Sequence, residues 1–439
     1  MYLRGSKWNM RQRRPRTNWF LVVFLVILIA IGIYLDQFVL PKAQTPFMPT
    51  PTATRNPESY VTDAEGLFTE GKLLDSINTY MEAIRIKPND PTLYIALARV
   101  QIFAGKYDDA LVNAQNSLLL NPNSSMAQAI LGWAQIQKDD YTTADASLQN
   151  ALRLDPNNGL AHAYDAFLYG KLFENNTGPY INPLQTAIDE SRTATNLAPN
   201  SLEAHWARAY IYQLTNNREL AVQEYLAAIN INKNIAEIHL ELGVTYKSLG
   251  VIDQAIQQYT LANTLNPSDY LPNLYSSRAM ASVGQYKQAE QYAKAAVQDA
   301  PTDAYVLGNW GYMLYKINDW SDAIAQFSLA INGGKTNDGQ TIQPLTPTTT
   351  DLWIPIYYSE YAIALAQSDR CSEALPLTQT ILDAFRTDDD AVYNAKYAQD
   401  FCSKNIGTAS PQASTTPGTP PGTTTGVSSG KTPEATQTP

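Results

Sequence analysis

Residues 236–269 read AEIHLELGVTYKSLGVIDQAIQQYTLANTLNPSD, and this stretch decides the fold. Its apolar and small residues recur at helical spacing in two runs separated by a turn. Leu242, Gly243 and Tyr246 lie on the first run, and Ala255, Tyr259 and Ala262 on the second. Gly250 stands between them, where a helix end needs a residue that takes positive φ without steric cost. Gly243, Ala255 and Ala262 let two helices approach closely, while Tyr246 and Tyr259 fill the space beside them. The stretch reads as one helical hairpin.

The hairpin repeats. Pro88, Pro122 and Pro156 follow one another at intervals of 34 residues; Pro267 and Pro301 keep the same interval, and Lys233 holds the place 34 before Pro267. Ala64, Ala98, Gly132, Ala209 and Gly311 occupy the column of Gly243; Ser76, Ala110, Ala144, Ala221, Ala289, Ala323 and Ala374 occupy that of Ala255. A 34-residue period of helix pairs closed by proline resembles the tetratricopeptide repeat, whose pattern pairs Leu-Gly with a downstream Tyr, then Ala, an aromatic and Pro. The resemblance implies an all-α, right-handed α-solenoid of about nine hairpins with a C-terminal capping helix; one transmembrane helix is expected ahead of it on the separate grounds given next. The fourth and ninth units are degenerate.

Composition and patterning divide the chain further. Residues 1–18 carry six Arg and Lys and no acid, and residues 19–40 open with 17 uncharged residues, WFLVVFLVILIAIGIYL. That is the pattern of a transmembrane signal-anchor, with basic residues on the cytoplasmic side and the repeats across the membrane. A cleaved signal peptide competes, but no small-x-small cleavage site follows. Residues 41–56 form a Pro/Thr-rich stalk. Units 1–4 occupy 57–200, with an inserted loop at 174–182, and units 5–8 occupy 201–331. A second insertion spans 332–350; both read as surface extensions or as lips touching a ligand. The last unit and capping helix follow at 351–404, and the Thr/Pro/Ser/Gly-rich remainder, 405–439, is expected to be disordered.

The net charge is −10. With the six N-terminal positives set aside, the rest carries −16, which repels phosphate backbones and makes nucleic acid a poor partner. Cys371 and Cys402 are the only cysteines. An antiparallel hairpin turning at Arg386-Thr387 brings them level, so outside the cytoplasm a disulfide between them is expected. The acidic run Asp388–Asp390 suits the start of the capping helix.

Chemistry-bearing motifs are missing: no Gly-rich phosphate loop, His-Glu-x-x-His or Gly-x-Ser-x-Gly occurs. His162, His205 and His239 share one column of successive units, yet equivalent residues in stacked repeats lie too far apart to ligate one ion. No catalytic residue, cofactor or metal is expected, and the chain reads as a non-catalytic scaffold rather than an enzyme. By the resemblance, first helices line a concave face that takes a protein or peptide. The columns facing it include Arg99, Trp133, Phe167, Trp206, Tyr210, Lys247, Arg278, Tyr305, Tyr312 and Tyr315, an aromatic-rich set typical of interaction hot spots. The Lys/Asn pattern that clamps a terminal carboxylate in some relatives is absent. Two alternatives stand beside the groove: stacking on carbohydrate or cell-wall polymer, or rings that seal the interface between first helices.

Overall fold

The computed structural model describes residues 18–34, 37 and 56–406. The basic segment before residue 18, the far end of the expected span, nearly all of the stalk and the tail from 407 lie outside these residues. Two compact units are resolved, 1–60 and 61–439.

In the first unit, α1 (Trp19–Tyr34) is a 16-residue helix with no buried side chain. At 1.5 Å per residue it covers about 24 Å, against a hydrocarbon core of ~30 Å. Among the described residues no helix is long and apolar enough to cross a membrane.

The repeats follow as helix pairs: α2 (Pro57–Thr69) with α3 (Leu73–Ile86), α4 (Pro91–Phe103) with α5 (Tyr107–Leu120), α6 (Ser125–Ile136) with α7 (Tyr141–Leu154), and α8 (Gly159–Glu174) with α9 (Pro183–Leu197). Next come α10 (Leu202–Leu214) with α11 (Arg218–Ile231), α12 (Ala236–Ser248) with α13 (Ile252–Leu265), α14 (Leu271–Ser282) with α15 (Tyr286–Asp299), and α16 (Ala304–Lys316) with α17 (Trp320–Asn332). The last pair is α18 (Ile354–Gln367) with α19 (Cys371–Ala384), and α20 (Asp389–Ile406) lies against both. Each hairpin packs on the next, and first helices also touch first helices along the series. The fold is an all-helical solenoid.

A positive-φ residue follows every first helix, and in the longer α8–α9 connection Gly178 and Asn182 join Asn176 in that region. Gly71, Gly105, Asp139, Asn176, Asn216, Gly250, Gly284, Asn318 and Asp369 all have positive φ and all follow a first helix. Glycine reaches this region freely, and Asn and Asp are the other residues that tolerate it. The hairpin core is built on the small-residue column. Gly243 faces the Tyr259 ring so closely that a Cβ there would lie 2.5 Å from Cε1, and one on Gly311 would lie 2.9 Å from the Phe327 ring.

At the C-terminal end the Cys371–Cys402 disulfide is formed, with the Cα atoms 5.4 Å apart. It ties the first residue of α19 to the last turns of α20, and closing a loop of this size stabilises by about 2–4 kcal/mol. Asp388 caps α20, its carboxylate accepting from the backbone N–H of Ala391 at 2.9 Å. The second insertion is more than a surface extension. It holds an antiparallel pair, β1 (Gly334–Lys335) and β2 (Thr341–Ile342), and Ile342 is buried against Ala304, Leu307 and Ala330. Its distal limb is fastened too: Leu345 donates its N–H to Ala330 O at 2.9 Å and accepts from the Tyr358 hydroxyl at 2.7 Å.

Replacing Gly243 with Val forces two methyl groups into the Tyr259 ring. We expect a loss of about 1–3 kcal/mol from overpacking, read as a lower melting temperature by circular dichroism. An unchanged melt would show that the ring is free to move aside.

Candidate partner-binding surface

The ten residues expected to line the concave face fall into two groups. In units 2–5 the rings turn on one another. Phe103 meets Trp133 edge-on with centroids 5.0 Å apart and Phe68 at 5.3 Å; Trp133 stacks on Tyr164 at 4.6 Å. Phe167 meets Trp206 at 5.1 Å and stacks on Tyr210 at 5.6 Å. Trp133 is 2% exposed, Trp206 4%, and Phe167 and Tyr210 8% each. The expectation of an open aromatic surface is therefore corrected for these four residues. The reason lies in contacts between distant repeats.

Arg99 of unit 2 donates from Nε to Glu203 of unit 5, and Phe103 lies 6.1 Å from Trp206. Asn232 and Asn234, in the turn after unit 5, donate side-chain N–H groups to the carbonyls of Phe68 and Thr69 at the end of α2, at 3.3 and 2.7 Å. First helices that would otherwise flank a groove thus close on each other and exclude water from the rings. Glu203 is 2% exposed as a side chain and Arg99 31%. Burial alone would lift the Glu203 carboxyl, but the Arg99 charge and hydrogen bond outweigh it and hold its pKa below the ordinary value. Burial likewise opposes the charged form of Arg99, and Glu203 more than restores it. The rings gain apolar burial here, at the expense of any contact with a ligand.

In units 6–9 the cations stand differently. Arg278 is buried between the Tyr305 and Trp353 rings, 4.8 and 4.2 Å from their centroids, and donates to the Tyr357 hydroxyl at 2.9 Å and to Asn309 Oδ1 at 3.3 Å. Among the described residues no carboxylate pairs with it. Lys247, half-buried, makes no hydrogen bond or ion pair among the described residues. Burial first, then the Arg278 charge, lowers its pKa. Lys316 sits over Tyr312 and Tyr315, 4.9 and 5.2 Å from the centroids, and pairs with Glu360 at 3.3 Å. Tyr305 donates to Asp351 at 2.9 Å. Carbohydrate stacking needs free ring faces, and the closed rings of units 2–5 do not offer them.

The histidine column has a role that spacing did not show. His162, His205 and His239 each point Nε2 at the carbonyl six residues back, of Pro156, Pro199 and Lys233, at 3.0, 2.9 and 2.8 Å. Nδ1 faces the second helix of the same unit: Glu190 for His162, Glu224 at 2.6 Å for His205, and Gln258 at 2.7 Å for His239. Tyr94, in the same column, donates to Pro88 O at 3.0 Å. At these four positions the column fastens the inter-repeat turn to the helix that follows it. Among the described residues no group of His, Cys, Asp or Glu could hold a metal ion.

Residues 127–158, 202–235 and 236–269 match the family model for the tetratricopeptide repeat. These three units, α6–α7, α10–α11 and α12–α13, are tetratricopeptide repeats. No curated protein matches the chain in sequence. Several solved structures are similar. Human IFIT1, in a dimer with PPP-AAAA, is 14% identical with a TM-score of 0.50, the match covering 79% of this chain and 83% of that one. PilW, a type IV pilus biogenesis factor, is 19% identical with a TM-score of 0.41 over 46% and 90% of the two chains. Pseudomonas aeruginosa PilF is 20% identical, TM-score 0.39, over 46% and 88%. At these identities the likeness concerns the fold alone.

Two consequences can be measured. Removing Arg99 leaves the Glu203 charge buried without a partner, so Arg99→Ala should lose about 3–5 kcal/mol in urea unfolding. Glu203→Gln should lose less, because Arg99 reaches water. The histidines supply a pH test. For His205 the Glu224 hydrogen bond, and for His162 the Glu190 bond and Pro156 carbonyl acting against burial, raise the pKa above the ordinary value. A raised folded pKa contributes stability that is complete below the unfolded value of about 6.5 and is lost as pH rises through the folded value. The wild-type protein should therefore lose stability over that window relative to a His162→Gln/His205→Gln variant. Parallel pH profiles of unfolding free energy would refute the charged pairs.

Proposed function

We propose that the chain is a non-catalytic scaffold whose tetratricopeptide repeats bind a protein or peptide on the first-helix face of units 6–9. The observation that carries this reading is the pair Lys247 and Arg278. Two cations stand together, one half-buried and one buried, and among the described residues no carboxylate neutralises either. Holding like charges partly out of water is unfavourable unless an anionic group arrives. The neighbouring Tyr305, Tyr312 and Trp353 rings supply apolar contact of the kind found at interaction hot spots. The partner segment is accordingly acidic.

In the same reading residues 19–40 anchor the chain in a bilayer with the N-terminus in the cytoplasm and the repeats outside it. The run of uncharged residues, its basic N-terminal flank and α1, apolar on all sides, support this. The Cys371–Cys402 disulfide fits an oxidising compartment.

Photo-crosslinking in intact cells tests the binding face. A crosslinking side chain placed at Lys247 should give a defined adduct, absent when the same group stands at the exposed Val112. Equal labelling at both positions, or none at 247, would place the partner elsewhere.

A further inference from the structure

Asp165 stands where Leu97, Leu131 and Leu242 stand in units 2, 3 and 6, one residue before the small residue of the first helix. Like those leucines it is buried, 2% exposed, yet it carries a carboxyl group. Its Oδ1 is out of contact with water and has no hydrogen-bond partner, and the side chain makes no ion pair among the described residues. Tyr169, one turn on along α8, shares its face and donates to Asp145 Oδ1 on α7 at 3.4 Å. Tyr180, from the inserted loop, donates to Oδ2 of the same carboxylate at 3.3 Å, and the two tyrosine rings meet edge-on at 5.6 Å. His162, one turn back, is taken up by Glu190 on α9 and by the Pro156 carbonyl. On α9, Arg192 pairs with Asp189. On α10, Arg208 is turned to the Ile188 carbonyl, Ser191 and the Tyr212 hydroxyl. Helix α6 has no titratable side chain. Among the described residues no cation is left for Asp165.

A bare carboxylate sealed here is far more costly than the neutral acid. Burial first, then the charges of Glu190 and Asp145, hold the Asp165 carboxyl well above the ordinary range, with His162 acting against them. Losing the proton sets a second negative charge near Asp145 in the seam between α7 and α8, and parting the helices there lets water reach it. Asp145 also holds Tyr180, so the loop goes with the seam. We propose that Asp165 is a proton-operated latch: the α7–α8 seam stays closed while its carboxyl is protonated, and opens locally, freeing the loop at 175–182, when the proton leaves. A raised pKa in the closed form favours closure fully below the open-state value of about 3.9, and that advantage is lost as pH rises towards the closed-state value. Within that window one proton raises the open fraction about tenfold per pH unit. The latch lies in units 3 and 4, so it stands or falls separately from the reading built on Lys247 and Arg278.

Amide hydrogen exchange of the full chain, followed by mass spectrometry between about pH 5 and pH 8 and corrected for the intrinsic exchange rate, tests it. Opening constants for amides of α7, α8 and residues 175–182 should climb with pH, by about tenfold per unit over at least one unit, while those of α16 and α17 do not. Asp165→Asn should flatten the climb. Should that variant melt lower, Asp165→Leu, which places the leucine of units 2, 3 and 6 in the same column, should flatten it equally. His162→Gln should keep it. A wild-type slope no steeper in α7 and α8 than in α16 and α17, or a slope that persists in both Asp165 variants, would overturn the proposal. So would a slope that disappears in His162→Gln, since the histidine would then be the sensor.

Discussion

A pair of helices some 34 residues long buries one face of each helix against the other and leaves the remaining apolar stripes uncovered. Only a neighbouring pair covers them, so no unit here is stable alone and every interface depends on the next. The features seen again and again along the chain serve that stacking. A left-handed residue turns each hairpin sharply enough to bring its helices side by side. A small residue lets the second helix close down on the first, as Gly243 does beneath Tyr259. The three histidines and Tyr94 bind the inter-repeat turns before α4, α8, α10 and α12 to the helix that follows, fixing where those units meet.

Stacking has a consequence beyond neighbours. The contacts of Arg99 with Glu203, Phe103 with Trp206, and the α2 carbonyls with Asn232 and Asn234 join residues more than a hundred positions apart. Through them units 1–2 meet units 5–6, and the rings between become core. Units 6–9 make a different use of the same helix face. There Arg278 is held by rings, a hydroxyl and an amide instead of an acid, and Lys247 has no hydrogen-bond or ion-pair partner among the described residues. The one series of hairpins thus yields a region whose rings close on one another and a region where Lys247 and Arg278 lack a carboxylate partner among the described residues.

Much of the fold was legible because its causes are local. The 34-residue interval, the small columns and Gly250 follow from packing within a single hairpin, which adjacent residues settle among themselves. Asp139, Asn216, Asn318 and Asp369 occupy the turn position of Gly250, and their tolerance of positive φ was the available sign in units that lack glycine. The ordered limb of the second insertion was not legible, because its apolar content is only Ile342 and Leu345, and a period-2 pattern needs more residues than that to declare a strand. Spacing took the histidine column no further than excluding a shared ion; one of its hydrogen bonds runs to a carbonyl, which every residue has, and the other to a side chain on the second helix that varies from Glu to Gln.

By itself, the sequence determined that the chain is a row of helical hairpins, where each one turns, and which cysteines come level, since these depend on contacts between residues close along the chain. Tertiary structure decided which rings of the first helices meet water. Trp133, Phe167, Trp206 and Tyr210 carry the same pattern as an open concave surface, and they are buried because small rotations between successive units add up to bring distant units together. That sum belongs to the whole stack, and no single repeat records it.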